Sequence, residues 1–205
     1  NILGGDTVRT EGPMVWTVTI IGDVPKGTAI MRSGAQVGDI VGITNYVGYA
    51  ATGLGALSYN LDGYHMTKVG HQRPDPQIEL GQQLRQLGIH SMNDISDGLG
   101  SELNEIASAS NVSIVIEEKA IPLHEETYKL AKYLQTNPVD YALYGGEDFQ
   151  LVFTAPKSLL PKLENLAGIT IIGEVVSGPA QVQMVTPDKT IKTIEAKGYN
   201  HFHES

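Results

Sequence analysis

The 205-residue chain contains no cysteine, which excludes disulfides, thiolate catalysis and cysteine-ligated zinc. Its 6 histidines include His201 and His203 on either side of a phenylalanine, but none has zinc-site spacing with acids or with another histidine. No apolar run is long enough to cross a bilayer, and no basic-then-apolar segment of the secretory kind is present. A cytoplasmic protein without membrane attachment is therefore expected. Cations are also scarce: 14 Lys and Arg face 23 Asp and Glu, for a net charge of −9, and no Lys/Arg run could follow a nucleic-acid backbone. The G-x-x-x-x-G-K-[ST] loop, a G-x-G-x-x-G opening a helix, and the H-R-D and D-F-G kinase pair are all missing. Any ATP chemistry must use another fold, and an acidic protein that handles phosphates needs metal ions to offset repulsion. There is no internal repeat or low-complexity tract. Asn111-Val112-Ser113 matches a glycosylation sequon, but without a secretory signal it is read as incidental.

What is present is an ordinary globular composition, 41% hydrophobic and 18% charged, in a chain long enough to bury a core. Its most informative stretch is Asp94-Ile95-Ser96-Asp97-Gly98. Two carboxylates lie three residues apart where a short apolar strand (89–92) passes to a helix with Leu99, Leu103, Ile106 and Ala107 at helical spacing. Hard oxygen donors at such a junction suit Mg²⁺, which takes one or two carboxylates plus substrate phosphates, and the helix start favours anions. Asp and Ser are also common helix caps. Capping accounts for one of these residues, but not for a second acid or for Gly98.

Four other loops carry candidate chemistry. Gly4-Gly5-Asp6-Thr7 is a tight turn with exposed amides and an acid, or a plain β-turn. Arg32-Ser33-Gly34-Ala35 with Gly38-Asp39 sets a guanidinium fork beside a glycine turn, which suits phosphate oxygens, although most arginines are merely solvated. Tyr144-Gly145-Gly146-Glu147-Asp148 puts two acids at a strand entrance, where they can grip a cationic ligand or only form the turn. Gly198-Tyr199-Asn200-His201-Phe202 offers an aromatic face for stacking or cation–π contact, or a tail that packs.

The periodicities predict strands at 14–21 (MVWTVTII), 40–44, 112–116, 149–153, 169–172 and 182–185. Helices are predicted around Val47 to Leu57, Leu80 to Leu87 with a stop at Gly88, Leu123 to Leu134, and Leu159 to Leu166. Residues 61–75, polar and broken by Gly63, Gly70 and Pro74, read as a surface loop. The glycines at 48, 53 and 55 weaken the first helix but permit close approach to a neighbour. The mixture indicates an α+β fold, a mixed sheet with helices packed against it.

Taken in order, GGDT, RSGAxxGD, DISDGL, YGGED and a closing GYxHF resemble the thiamine-monophosphate kinase family of the PurM-like, AIR synthetase-related ATP-binding superfamily. The likeness runs from Gly4 to Phe202. It implies a PurM-like C-terminal domain over residues 31–205, with residues 1–30 a remnant of an N-terminal ATP-binding domain, and transfer of the ATP γ-phosphoryl group to thiamine monophosphate. By motif position, Asp6, Asp94 and Asp97 would hold Mg²⁺, and Gly5, Asp6, Arg32 and Ser96 would contact ATP. Glu147 and Tyr199 would bind the thiamine portion, whose permanent positive charge suits a carboxylate and a π face. No covalent nucleophile is implied. Family members carry further metal-binding aspartates and most of a homodimer contact in the N-terminal domain. Because the chain opens without Met and lacks most of that domain, it reads as an inactive piece of a larger protein. A second departure is Gly48-Tyr49, where the family usually shows Gly-Asp. The absence of cysteine argues against the superfamily members that depend on cysteine or selenocysteine. Aminoimidazole-ribonucleotide synthetase is the nearest enzymatic rival, and a non-catalytic binding module of the same fold is the alternative from another class.

Overall fold

The computed structural model describes residues 2–197. Seven strands form one sheet: β1 (Asp39–Thr44), β2 (Ser91–Asp94), β3 (Ser113–Glu117), β4 (Leu151–Pro156), β5 (Ile169–Val176), β6 (Gln181–Val185) and β7 (Ile191–Ile194), in the order β2-β4-β1-β5-β3-β6-β7. Every neighbouring pair is antiparallel except β3 and β6. The helices are α1 (Tyr49–Ser58), α2 (His65–Gln72), α3 (Ile78–Leu87), α4 (Leu99–Ser110), α5 (Glu125–Leu134), α6 (Pro138–Tyr144) and α7 (Leu160–Leu163).

The sheet is covered on both faces. Leu99, Leu103, Ile106 and Ala107 of α4 pack with Val139, Ala142 and Leu143 of α6 onto Val41, Ile43, Ile114 and Val152. Each of the large α4 side chains, fully buried, contributes about 2 kcal/mol by area. Leu84 of α3 and Leu163 of α7 pack with Ile40 and Phe153 in a second cluster. Central β1 is buried at all six positions, as expected of a strand covered on both sides.

Two expectations fail. Residues 14–21 have the composition of a strand, but the chain from 2 to 24 forms no regular element; Trp16, Val18 and Ile20 are each 80% exposed or more. A strand needs a neighbour to take its N–H and C=O groups, and among the described residues this segment has none. Residues 61–75 are not all loop, since α2 occupies their centre. The helix owes its place to tertiary contacts rather than to propensity. The buried Glu126 carboxylate accepts the Met66 and Thr67 N–H groups at its first turn, at 3.2 and 2.8 Å, and the Thr67 hydroxyl at 2.8 Å. Burial works against the Glu126 charge, but these bonds outweigh it and hold the carboxyl below its ordinary range. Gly53 of α1 lets the two helices touch, because a Cβ there would lie 2.1 Å from the Thr67 carbonyl oxygen. Helix α6 and strand β7 have no counterpart among the sequence expectations.

Candidate active site

Antiparallel pairing brings the two acidic motifs together. The DISDG loop leaves the end of β2, the YGGED loop enters β4, and in this pair Asp94 stands opposite Leu151. Hydrogen bonding continues past the strand ends: Ile95 N–H donates to Gln150 O at 2.7 Å, Phe149 N–H to Ile95 O at 2.9 Å, and Glu147 N–H to Ser96 O at 2.7 Å. Glu147 and Phe149 adopt left-handed φ values of 66° and 50° to make these bonds, conformations that side-chain-bearing residues keep only when their surroundings hold them. Gly98, at φ 100°, ends the DISDG turn where a Cβ would lie 2.7 Å from the Leu143 carbonyl oxygen. Only glycine suits both demands.

Ser96, Asp97, Gly145, Gly146 and Glu147 share a cleft of about 660 Å³, to which Ala50, Leu54, His71, Phe149 and Lys197 also contribute. It joins carboxylates to an apolar wall and one cation. Sequence reasoning did not single out His71, Phe149 or Lys197.

Asp94 and Asp97 are exposed, and among the described residues no hydrogen bond or ion pair engages either carboxylate. Beneath them lies Glu102, 2% exposed, whose Oε1 accepts the Asp97 N–H at 3.3 Å and the Ser96 hydroxyl at 3.4 Å. The Asn93 amide donates to Glu102 and, at 3.1 Å, to Glu105. Burial pushes the Glu102 carboxyl up to about 7; the Asp97 N–H opposes this, while the charges of Glu105, Asp94 and Asp97 add to it. A signal for Glu102 was present in the sequence: it is an acid within the Leu99, Leu103, Ile106 stripe that faces the core. The donor set suits Mg²⁺, with two unpartnered hard-oxygen carboxylates at one turn. No group of three or more His, Asp or Glu among the described residues forms a closed metal site.

The remaining expected residues are dispersed. Arg32 lies next to the acidic turn, its Nε donating to Asn93 Oδ1 at 3.1 Å and its Nη1 paired with Glu105 at 2.9 Å. The loop amides after it are already engaged, because Gly34 and Ala35 both donate to the Ser110 hydroxyl at 3.1 Å. Asp39 is buried and accepts from Gln36 N–H while pairing with His90, a structural role. Gly5 and Asp6 sit on the exposed N-terminal arm, where Asp6 accepts the Thr7 N–H, and the structure does not bring them to the cleft. Tyr199, with the rest of 198–202, lies outside the described residues.

Asp148, the last acid of YGGED, points inward. It is 4% exposed and accepts the Gly48 and Ala50 N–H groups at 2.5 and 2.9 Å. It thereby caps α1, whose own N-cap is Gly48 with no side-chain bond.

The profile of the AIR synthase related protein, C-terminal domain, matches residues 36–185. The chain belongs to this family. Its architecture is accordingly the PurM-like fold, and every lining residue of the cleft except Lys197 lies within the matched range. Among curated relatives, the chain is 38% identical to the thiamine-monophosphate kinase of Bacillus subtilis over 213 residues, covering 98% of this chain and 64% of that protein. It is 35% identical to that of Escherichia coli K12, covering 98% and 63%. The chain thus spans a little under two thirds of the relatives it matches. Among solved structures, thiamine-monophosphate kinase from Stenotrophomonas maltophilia superposes with a TM-score of 0.73 at 30% identity, over 78% of this chain and 54% of that one. AaThiL complexed with AMPPCP and TMP does so with a TM-score of 0.73 at 33% identity, over 84% and 54%. The hydrogenase maturation protein HypE of E. coli shares the fold alone, with a TM-score of 0.71 at 20% identity over 89% of this chain and 56% of that one.

Proposed function

We propose that this chain is part of an ATP- and Mg²⁺-dependent kinase that converts thiamine monophosphate to thiamine diphosphate. The observation that carries the reading is the meeting of DISDG and YGGED at one cleft, in a chain 38% identical to a protein of that name. Asp94 and Asp97 hold Mg²⁺, with Asp6 assigned to the same set by its motif. The ion, when bound, neutralises charge on the phosphoryl oxygens. Ser96, Arg32 and Gly5 contact ATP. Glu147 receives the positively charged thiamine, with the apolar cleft wall beside its rings and Tyr199 as a π face. No side chain acts as a covalent nucleophile; the chain binds, orients and screens the reactants. In this reading residues 1–30 belong to an ATP-binding domain that the rest of the protein completes, residues 31–205 form the C-terminal domain, and the full-length protein is a cytoplasmic homodimer.

The test is to incubate the full-length protein with ATP, Mg²⁺ and thiamine monophosphate and to follow thiamine diphosphate and ADP. Equal yields of the two are expected, and all product should vanish with a chelator. Failure to form thiamine diphosphate while the protein remains folded overturns the reading.

A further inference from the structure

We propose that Glu102 is a positioning residue, which fixes the turn presenting Ser96 and Asp97 and, through the Asn93 amide, ties Arg32 to the same turn. The inference rests on the metal and nucleotide roles just proposed for that turn. Glu102 binds two points of the loop through Oε1 and one amide proton of Asn93 through Oε2. Asn93, 8% exposed, gives its second proton to Glu105 and accepts from Arg32 through its oxygen, so each polar group of this amide is committed. Two segments bonded across 61 positions of sequence are thereby held in one arrangement. Three donors thus converge on the two oxygens of one carboxyl. Glutamine has a single acceptor oxygen and would set its own amide donor against either Asn93 or the loop, so it cannot serve both. Arg32 joins the network through Asn93 and Glu105 rather than through Glu102.

The test uses full-length protein with ATP and measures Mn²⁺ binding by electron paramagnetic resonance. Glu102→Gln, which turns an amide donor toward Asn93, is expected to weaken Mn²⁺ retention by about tenfold or more, with the thermal midpoint and the KM for thiamine monophosphate unmoved. Glu102→Asp keeps both acceptor oxygens and is expected to stay within about threefold of wild type, a rescue that a purely structural role would not give. Wild-type Mn²⁺ affinity in Glu102→Gln overturns the inference, as does a wild-type protein that binds no Mn²⁺. If Glu102→Gln fails to fold, Asn93→Ser decides by calorimetry: loss of ATP affinity supports the tie to Arg32, and unchanged affinity refutes it. If no thiamine diphosphate forms while the Mn²⁺ effect persists, the kinase reading fails and the positioning role stands.

Discussion

The two acid-bearing loops at the cleft follow one plan with different partners. In YGGED, Glu147 faces the cleft while Asp148 turns inward onto the backbone amides that start α1. In DISDG, Asp94 and Asp97 are exposed while Glu102, from the following helix, lies beneath them. Both buried carboxyls are raised, Asp148 to about 6 by burial against opposing amide bonds, and Glu102 to about 7 by burial with other acids adding to it. The difference lies in the partners. Asp148 accepts backbone N–H groups and completes a helix end, whereas Glu102 accepts from Asn93, Ser96 and the Asp97 N–H with the acids Asp94, Asp97 and Glu105 close by. Both are carboxyls buried beside an acid-bearing loop, and their partners separate an acid that caps a helix from one that braces the exposed acids.

The sharpest break of this comparison is at the exposed acids. Asp94→Asn or Asp97→Asn in the full-length protein should abolish Mg²⁺-ATP-dependent transfer and leave the fold intact, because neither carboxylate supports a hydrogen bond among the described residues. Turnover at the wild-type rate in either variant would remove the metal role. The opposite outcome is expected for Asp148→Ala, where folding fails before chemistry does. Leaving the buried N–H groups of Gly48 and Ala50 without an acceptor costs about 2–4 kcal/mol, readable as a lowered midpoint in urea.

Asp148 also carries a pH signature. Its folded-state pKa, about 6, lies above the ordinary 3.8, so its contribution to stability is fully present below about pH 3.8 and is lost as pH rises through about 6. A shift of this size corresponds to about 3 kcal/mol. Unfolding free energies at pH 4 and 6.5 should therefore diverge more in the wild type than in Asp148→Asn, and parallel profiles would show that burial does not govern this group.

What the sequence made legible divides along the same physical line between local and non-local causes. Helix α4 was readable from Leu99, Leu103 and Ile106, and α3 from its leucines and the Gly88 stop at φ 81°, because period and cap are written within a few residues. Helix α6 was also locally signalled, by Asn137 capping Val139 N–H and by Pro138 in the first turn. Helix α2 was not, since its first turn is satisfied by Glu126, 59 residues from Thr67. The 14–21 segment errs in the other direction: β-branched composition states a preference, but a ladder requires a second strand. At the site, the motifs identified Asp94, Asp97 and Glu147 as candidates. Their adjacency depended on β2 pairing with β4, and the inward turn of Asp148 on contacts with a helix about 100 positions away.

A milder perturbation separates the outward acid of YGGED from its inward neighbour. Glu147→Gln should raise the KM for thiamine monophosphate about tenfold, equivalent to 1.4 kcal/mol, while the KM for ATP and the urea midpoint stay near wild type. Equal changes in both KM values would assign Glu147 to the nucleotide or to loop geometry instead.

The smallest effect belongs to Tyr49, the residue after the glycine that Asp148 caps. Its ring meets Tyr46 edge-on at 5.7 Å and tilts against His124 at 5.3 Å. Burial, with Tyr46 and Glu126 adding, pushes its hydroxyl up to about 12. The phenol is therefore neutral at physiological pH and makes no hydrogen bond among the described residues, so its part in the loop is the packing of its ring. Tyr49→Phe preserves the ring and should alter stability by less than about 0.5 kcal/mol with turnover unchanged. A substantial loss of turnover in Tyr49→Phe, with stability held, would place the hydroxyl at the reacting end of the cleft and make the β1–α1 loop a third chemical loop rather than a capped structural one.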